Sequence, residues 1–160
     1  MVFIFYQDNY VILEGSKSFI TLTIYRDTTI YDGLLVLEYA TSDLTATGID
    51  AEKYLACSKL ATADRGPAGC GDYMQTAGFV TILPGERSGG FNVNIVDDTC
   101  NESNMKYIQV GLIVLLFLSS IDFACPQVTL SVPGSAALQG ETLSAMIRID
   151  DNDFASTQYC

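Results

Sequence analysis

Apolar and polar residues alternate along much of this chain with a period of two, the spacing of a strand that buries one face. In residues 18–25 the apolar positions are Ile20, Leu22 and Ile24, with Thr21 and Thr23 between them. The same grammar places Leu35, Leu37 and Tyr39 on one face of a strand over residues 34–41. It repeats at Phe91, Val93 and Ile95, and again at Ala145, Ile147 and Ile149, where Ser144, Met146 and Arg148 take the opposite face. Residues 78–83, 106–118 and 127–132 read as further strands. Residues 2–6 and 10–13 read as one strand split at Gln7-Asp8-Asn9, switching between sheets at the polar break. No segment sustains a helical period. Short strands separated by Gly, Pro and polar turns predict an all-β fold, an antiparallel sandwich of about 7–9 strands.

Two places interrupt the pattern. Residues 42–77 lack periodicity and hold Cys57 and Cys70, so they read as a long loop insertion braced by cysteines. A bridge there lowers the entropy of the unfolded chain by an amount worth about 3 kcal/mol. Residues 110–118 form the most apolar run, too short to span a bilayer and suited to a fully buried strand or to one covered by another subunit.

Composition sharpens this picture. At 160 residues the chain is one domain by length, residues 1–160, large enough to fold without staples. Apolar residues make up 49% and charged residues 17%, and the mean hydropathy of +0.27 suggests that a partner covers some surface. A net charge of -11 repels nucleic acid and anionic membranes and favours cations. The five cysteines are Cys57, Cys70, Cys100, Cys125 and Cys160. Pairing Cys57 with Cys70 and Cys100 with Cys125 needs the shortest loops, though sequence leaves the connectivity open, bridges to a neighbouring chain included. With no His and no Cys-x-x-Cys, a zinc site is not expected. Asn101-Glu102-Ser103 is an N-glycosylation pattern. Beside candidate disulfides it predicts an extracellular chain, secreted or part of a cell-surface appendage.

Candidate chemistry lies at strand ends. Asp150, Asp151 and Asp153 follow one strand; Asp97 and Asp98 follow another, with Glu102 just beyond. Acids this close repel one another unless a cation sits among them, and such hard oxygen ligands suit calcium. A solvated turn is the plainer reading of either cluster alone. Two clusters meeting at one end of a sandwich favour the cation.

Five landmarks occur in order: Val11-Ile12-Leu13-Glu14-Gly15; residues 38–43 with Thr45-Ala46; Gly71-Asp72-Tyr73 with residues 78–86; Ile95-Val96-Asp97-Asp98 with Glu102; and residues 147–153. Across nearly the whole chain this succession resembles a Calx-beta domain, a module of sodium/calcium exchangers and of extracellular matrix and adhesion proteins. The resemblance implies an immunoglobulin-like sandwich with calcium at one tip, held by Glu14, Asp72, Asp97, Asp98, Glu102, Asp151 and Asp153. Three positions depart from the pattern. Met105 falls where a further acid is expected, Asn152 replaces a carboxylate by an amide, and Asp50 competes with Asp72 for one position. Fewer charged ligands imply an affinity on the order of 0.1 to 1 mM.

Three function classes are compatible with these features to different degrees. An extracellular structural or adhesion module, polymerising with itself or standing among neighbouring domains of its kind, is the first expectation. Val2, Phe3, Ile4, Phe5 and Tyr6, or residues 110–118, would be the donated strand. The alternative is a calcium-sensing regulatory domain. An enzyme is the least expected, because neither a His base nor a nucleophile elbow or phosphate loop is present.

Overall fold

A computed structural model of the chain describes residues 3–26, 33–65, 70–99, 105–118 and 144–153. Its elements in order are β1 (Phe3–Phe5), β2 (Asn9–Leu13), β3 (Phe19–Arg26), β4 (Leu34–Asp43), β5 (Gly48–Ile49), helix α1 (Ala51–Ser58) and a 3-10 turn (Thr62–Asp64). After these come β6 (Tyr73–Met74), β7 (Ala77–Ile82), β8 (Ser88–Asn94), β9 (Lys106–Leu118) and β10 (Ser144–Asp150). A three-stranded sheet of order β1-β3-β8 faces a five-stranded sheet of order β2-β10-β9-β4-β7. The expected β-sandwich is therefore present. Its first strand does break at Gln7-Asp8-Asn9, with β1 in one sheet and β2 in the other.

The alternating positions make the core. Leu22, Ile24 and Val93 from the smaller sheet meet Leu35, Leu37, Ile82, Ile108, Val110 and Ile147 from the larger one, all buried. Between the sheets the rings of Tyr39 and Phe91 stack with centroids 3.6 Å apart. Burial of side chains like these contributes about 1.5–3 kcal/mol each and supplies most of the fold's stabilisation.

Four sequence expectations need correction. Residues 42–77 are not one long loop: β4 runs on to Asp43, and the remainder forms β5, α1, the 3-10 turn and β6. Asp50 caps α1, accepting from Lys53 N at 2.7 Å. Phe3–Phe5 does not stand free for donation, because it pairs antiparallel with β3 of its own chain; Val2 lies outside the described residues. Nor is residues 110–118 an orphan: it belongs to β9, hydrogen-bonded between β10 and β4. Finally, the sandwich is not wholly antiparallel, since β2 runs parallel to β10. The strand expected over residues 127–132 lies outside the described residues.

Two polar groups are buried in ways the alternation did not foretell. Arg26, 4% exposed, donates through Nε to Glu86 O at 2.7 Å, through Nη2 to Leu83 O at 2.6 Å, and through Nη1 to Gly33 O. One guanidinium thus ties the β7–β8 turn to the start of β4. Tyr73, fully buried, donates its hydroxyl to Asp43 Oδ1 at 2.6 Å, and the same oxygen accepts from Gly48 N at 3.0 Å. Burial, then the hydrogen bond and the charge of Asp43, push the Tyr73 phenol well above its usual range.

Candidate metal centre

Topology, more than sequence proximity, assembles the acidic tip. In the parallel pair, Asp150 stands opposite Leu13, so β2 and β10 end together and deliver Glu14 and Asp151 side by side. β8 pairs antiparallel with β3, with Asn94 opposite Phe19, so the segment after β8 returns beside the turn that precedes β3. Asp97 and Asp98 therefore arrive at the same end of the sandwich.

Contacts lock these three segments to one another. Glu14 N donates to Asp150 O at 2.9 Å, while Asp98 N donates to Glu14 Oε1 at 3.2 Å. Both Glu14 and Asp151 are buried, 6% and 7% exposed. Gly15 turns the chain with φ at +68°, and a side chain there would meet the Asn152 amide and come within 2.7 Å of Asp97 Oδ1. Only glycine combines that dihedral with that closeness.

The electrostatics of the tip are unbalanced. Asp153 N donates to Asp151 Oδ1 at 2.6 Å, while Asp153 Oδ2 is buried without a hydrogen-bond partner. Removal from water, and then the charges of Asp151 and Asp97, raise the Asp153 carboxyl above its ordinary value. A buried carboxylate oxygen with no donor, surrounded by like charge, lacks a cation. The donor set, carboxylates and nothing softer, fits calcium. The arrangement is nevertheless open: among the described residues no group of three His, Cys, Asp or Glu side chains stands in metal-holding geometry.

Several of the expected ligands have partners of their own. The Asp72 carboxylate accepts from Thr47 N and pairs with Lys106 Nζ at 3.7 Å, although its backbone carbonyl accepts from Val96 N at 2.9 Å beside the tip. Asp50 is occupied by the cap of α1. Asp150 lies in a fork with Arg148, whose Nη2 donates to Oδ2 at 2.9 Å while Nε approaches Oδ1 to 2.8 Å. Glu102 and Asn101 lie outside the described residues, as do Cys100 and Cys125. Cys57 and Cys70 are joined by a disulfide, with Cα atoms 5.7 Å apart.

One residue at this end was not singled out from the sequence. Arg65 donates through Nη1 to Asp97 O at 2.9 Å and through Nε to Leu60 O at 3.1 Å, bridging the end of α1 to the tip. A single Arg in an aperiodic stretch carries no sequence signal for such a role.

Comparison with known proteins places this arrangement. The family model for the Calx-beta domain matches residues 1–60 and 57–152. Among solved structures, the crystal structure of calcium binding domain CBD12 of CALX1.1 is similar with a TM-score of 0.59 and 20% identity, over 98% of this chain and 48% of that one. The crystal structure of CBD12 from CALX1.2 is similar with a TM-score of 0.57 and 18% identity, over 96% of this chain and 46% of that one. This chain thus spans about half the length of these two solved chains. No curated protein matches it. The extracellular placement expected from the cysteines and Asn101 is overturned by these likenesses, which are to calcium binding domains of CALX proteins. Among the described residues no helix is long and apolar enough to cross a membrane.

Proposed function

The chain belongs to the Calx-beta domain family, and from that premise we propose that it is a calcium-binding regulatory module that works beside neighbouring domains of its own kind. The observation that carries this reading is the tip where Glu14, Asp97, Asp98, Asp151 and Asp153 converge, with Asp153 Oδ2 buried and unpartnered. Calcium, when bound, would add positive charge among these carboxylates, most directly at Asp153 Oδ2. Glu14 holds the loop after β8 through Asp98 N, Asp151 orients Asp153 through its backbone N–H, and Gly15 leaves room for the Asp97 carboxylate. Without a cation the mutual repulsion of Asp97, Asp151 and Asp153 keeps the tip open. Neutralising that repulsion draws three segments of the sandwich together, which alters the surface presented to an adjoining domain. Coverage of only about half of the similar CBD12 chains supports such a neighbour.

The adhesive fibre is set aside in favour of this reading. Both strands considered for donation, β1 and β9, are paired within the chain.

Thermal melts with and without calcium test the proposal. A rise in Tm that saturates in the range of about 0.1–1 mM is expected, and at a calcium concentration 100 times Kd the stabilisation is about 2.7 kcal/mol. Asp97→Ala combined with Asp151→Ala abolishes the rise. An undiminished rise in that variant would place the ion elsewhere, and no rise in the wild-type chain would sink the reading.

A further inference from the structure

Between α1 and the acidic tip lies a cavity of about 250 Å³. Its walls include Lys17, Tyr54, Cys57, Ser58, Arg65 and Asp97. Two features of this wall belong to different kinds of chemistry. Cys57 contributes one half of the Cys57–Cys70 disulfide, which is otherwise enclosed by Ile49, Val96 and Tyr54. Lys17 and Arg65 bring positive charge to an otherwise acidic chain, and among the described residues neither forms an ion pair with a carboxylate. Cys57, only 5% exposed, lines the cavity beside these two cations, and this is the side from which a small anionic thiol would approach it.

The disulfide is also connected to the tip. Cys57 and Cys70 are 13 residues apart, and Arg65 lies inside the loop they close. Within that loop Arg65 is fixed by the carbonyls of Leu60, at 3.1 and 3.0 Å, and of Ser58, at 3.4 Å. Its remaining contact is Asp97 O at 2.9 Å. Closing the loop restricts where the guanidinium can be, and the guanidinium restricts where Asp97 can be.

We propose that Cys57–Cys70 is a thiol-exchange site, reached through this cavity by a small anionic thiol and coupled to the acidic tip through Arg65. The coupling to calcium rests on the reading of the tip given above; the exchange site does not. A thiolate attacks Cys57 Sγ, forming a mixed disulfide and releasing the Cys70 thiolate, which takes a proton. A second thiol then displaces Cys57 as a thiol and leaves as the oxidised thiol dimer, so two electrons pass from the thiols to the protein. Arg65 acts here as a positioning residue.

Differential alkylation of the intact chain during incubation with glutathione, or with neutral 2-mercaptoethanol, reads the exchange directly. Cys57 and Cys70 are expected to be joined at the start and to open with glutathione, and Lys17→Glu is expected to slow glutathione several-fold while sparing mercaptoethanol. Free thiols at both positions in air-oxidised protein, or no opening by either reagent, would overturn the proposal. For the coupling, calcium affinity is measured by calorimetry in wild type, in Cys57→Ala/Cys70→Ala and in Arg65→Gln under non-reducing conditions. Each variant is expected to bind at least about fivefold more weakly, and combining them should add little. Equal affinities in folded variants would refute the coupling. If no form binds calcium, the reading of the tip fails, and the amide resonances of Gly15, Asp97 and Asp98 in calcium-free buffer decide the coupling alone. Movement of those amides on opening the disulfide supports it; amides that stay in place refute it.

Discussion

At the scale of single residues, Asp153 is the group whose environment contradicts its charge. Its folded pKa is raised above the 3.8 of a free aspartate by burial and by the charges of Asp151 and Asp97. The folded state then holds the proton more tightly than the unfolded state. In the calcium-free protein this group's stabilising contribution is full below 3.8 and is lost as pH rises through the folded value. Calcium competes with the proton for the same carboxylate, so stabilisation by calcium has the opposite dependence. It is full at neutral pH and begins to fade, on acidification, above the pH where an ordinary aspartate would titrate. Melts across pH with and without calcium check this, and a calcium shift that stays constant down to 3.8 would contradict it. Arg26 belongs to the same scale. Arg26→Ala strands the carbonyls of Glu86, Leu83 and Gly33, and a loss of about 3 kcal/mol is expected in denaturant unfolding.

At the scale of elements, strands were legible and the helix was not. Leu22 and Ile24, or Ile147 and Ile149, announce themselves because a strand with one buried face must alternate. Helix α1 has no such stripe: of its eight residues only Cys57 is buried, so its apolar residues point largely to solvent and no 3.6 period forms. The available signal was the cap. Asp50 precedes Ala51, Glu52 and Lys53, a helix start in which an aspartate accepts from the third amide beyond it. Asp50 instead drew attention as a rival metal ligand. Asp50→Ala is expected to cost about 1 kcal/mol of stability, read by denaturant unfolding, while leaving calcium affinity within error. A large loss of affinity would return Asp50 to the metal centre. The tip was legible in its residue types but not in the partners each carboxylate takes. Asp72 satisfies its carboxylate with Thr47 and Lys106, partners set by the fold and remote from it in the chain.

At the scale of the whole molecule, the sandwich and its sheet switch followed from patterning, whereas the parallel register of β2 and β10 did not. Alternation fixes which face is buried and says nothing of strand direction, so Val11 opposite Arg148 could be learned only from the structure. That register has a mechanical meaning. Because β2 and β10 run the same way, a pull applied ahead of β2 and beyond β10 loads the hydrogen bonds from Asn9 to Leu13 in shear, all sharing the tension instead of parting one at a time. Glu14 and Asp151 sit at the end of this ladder, where an ion would rivet it. Single-molecule stretching is expected to give a higher rupture force with calcium than with chelator, and equal forces would separate the ion from the ladder. A domain sensed so far only as a receiver of a chemical signal would then also be a strut whose stiffness that signal sets.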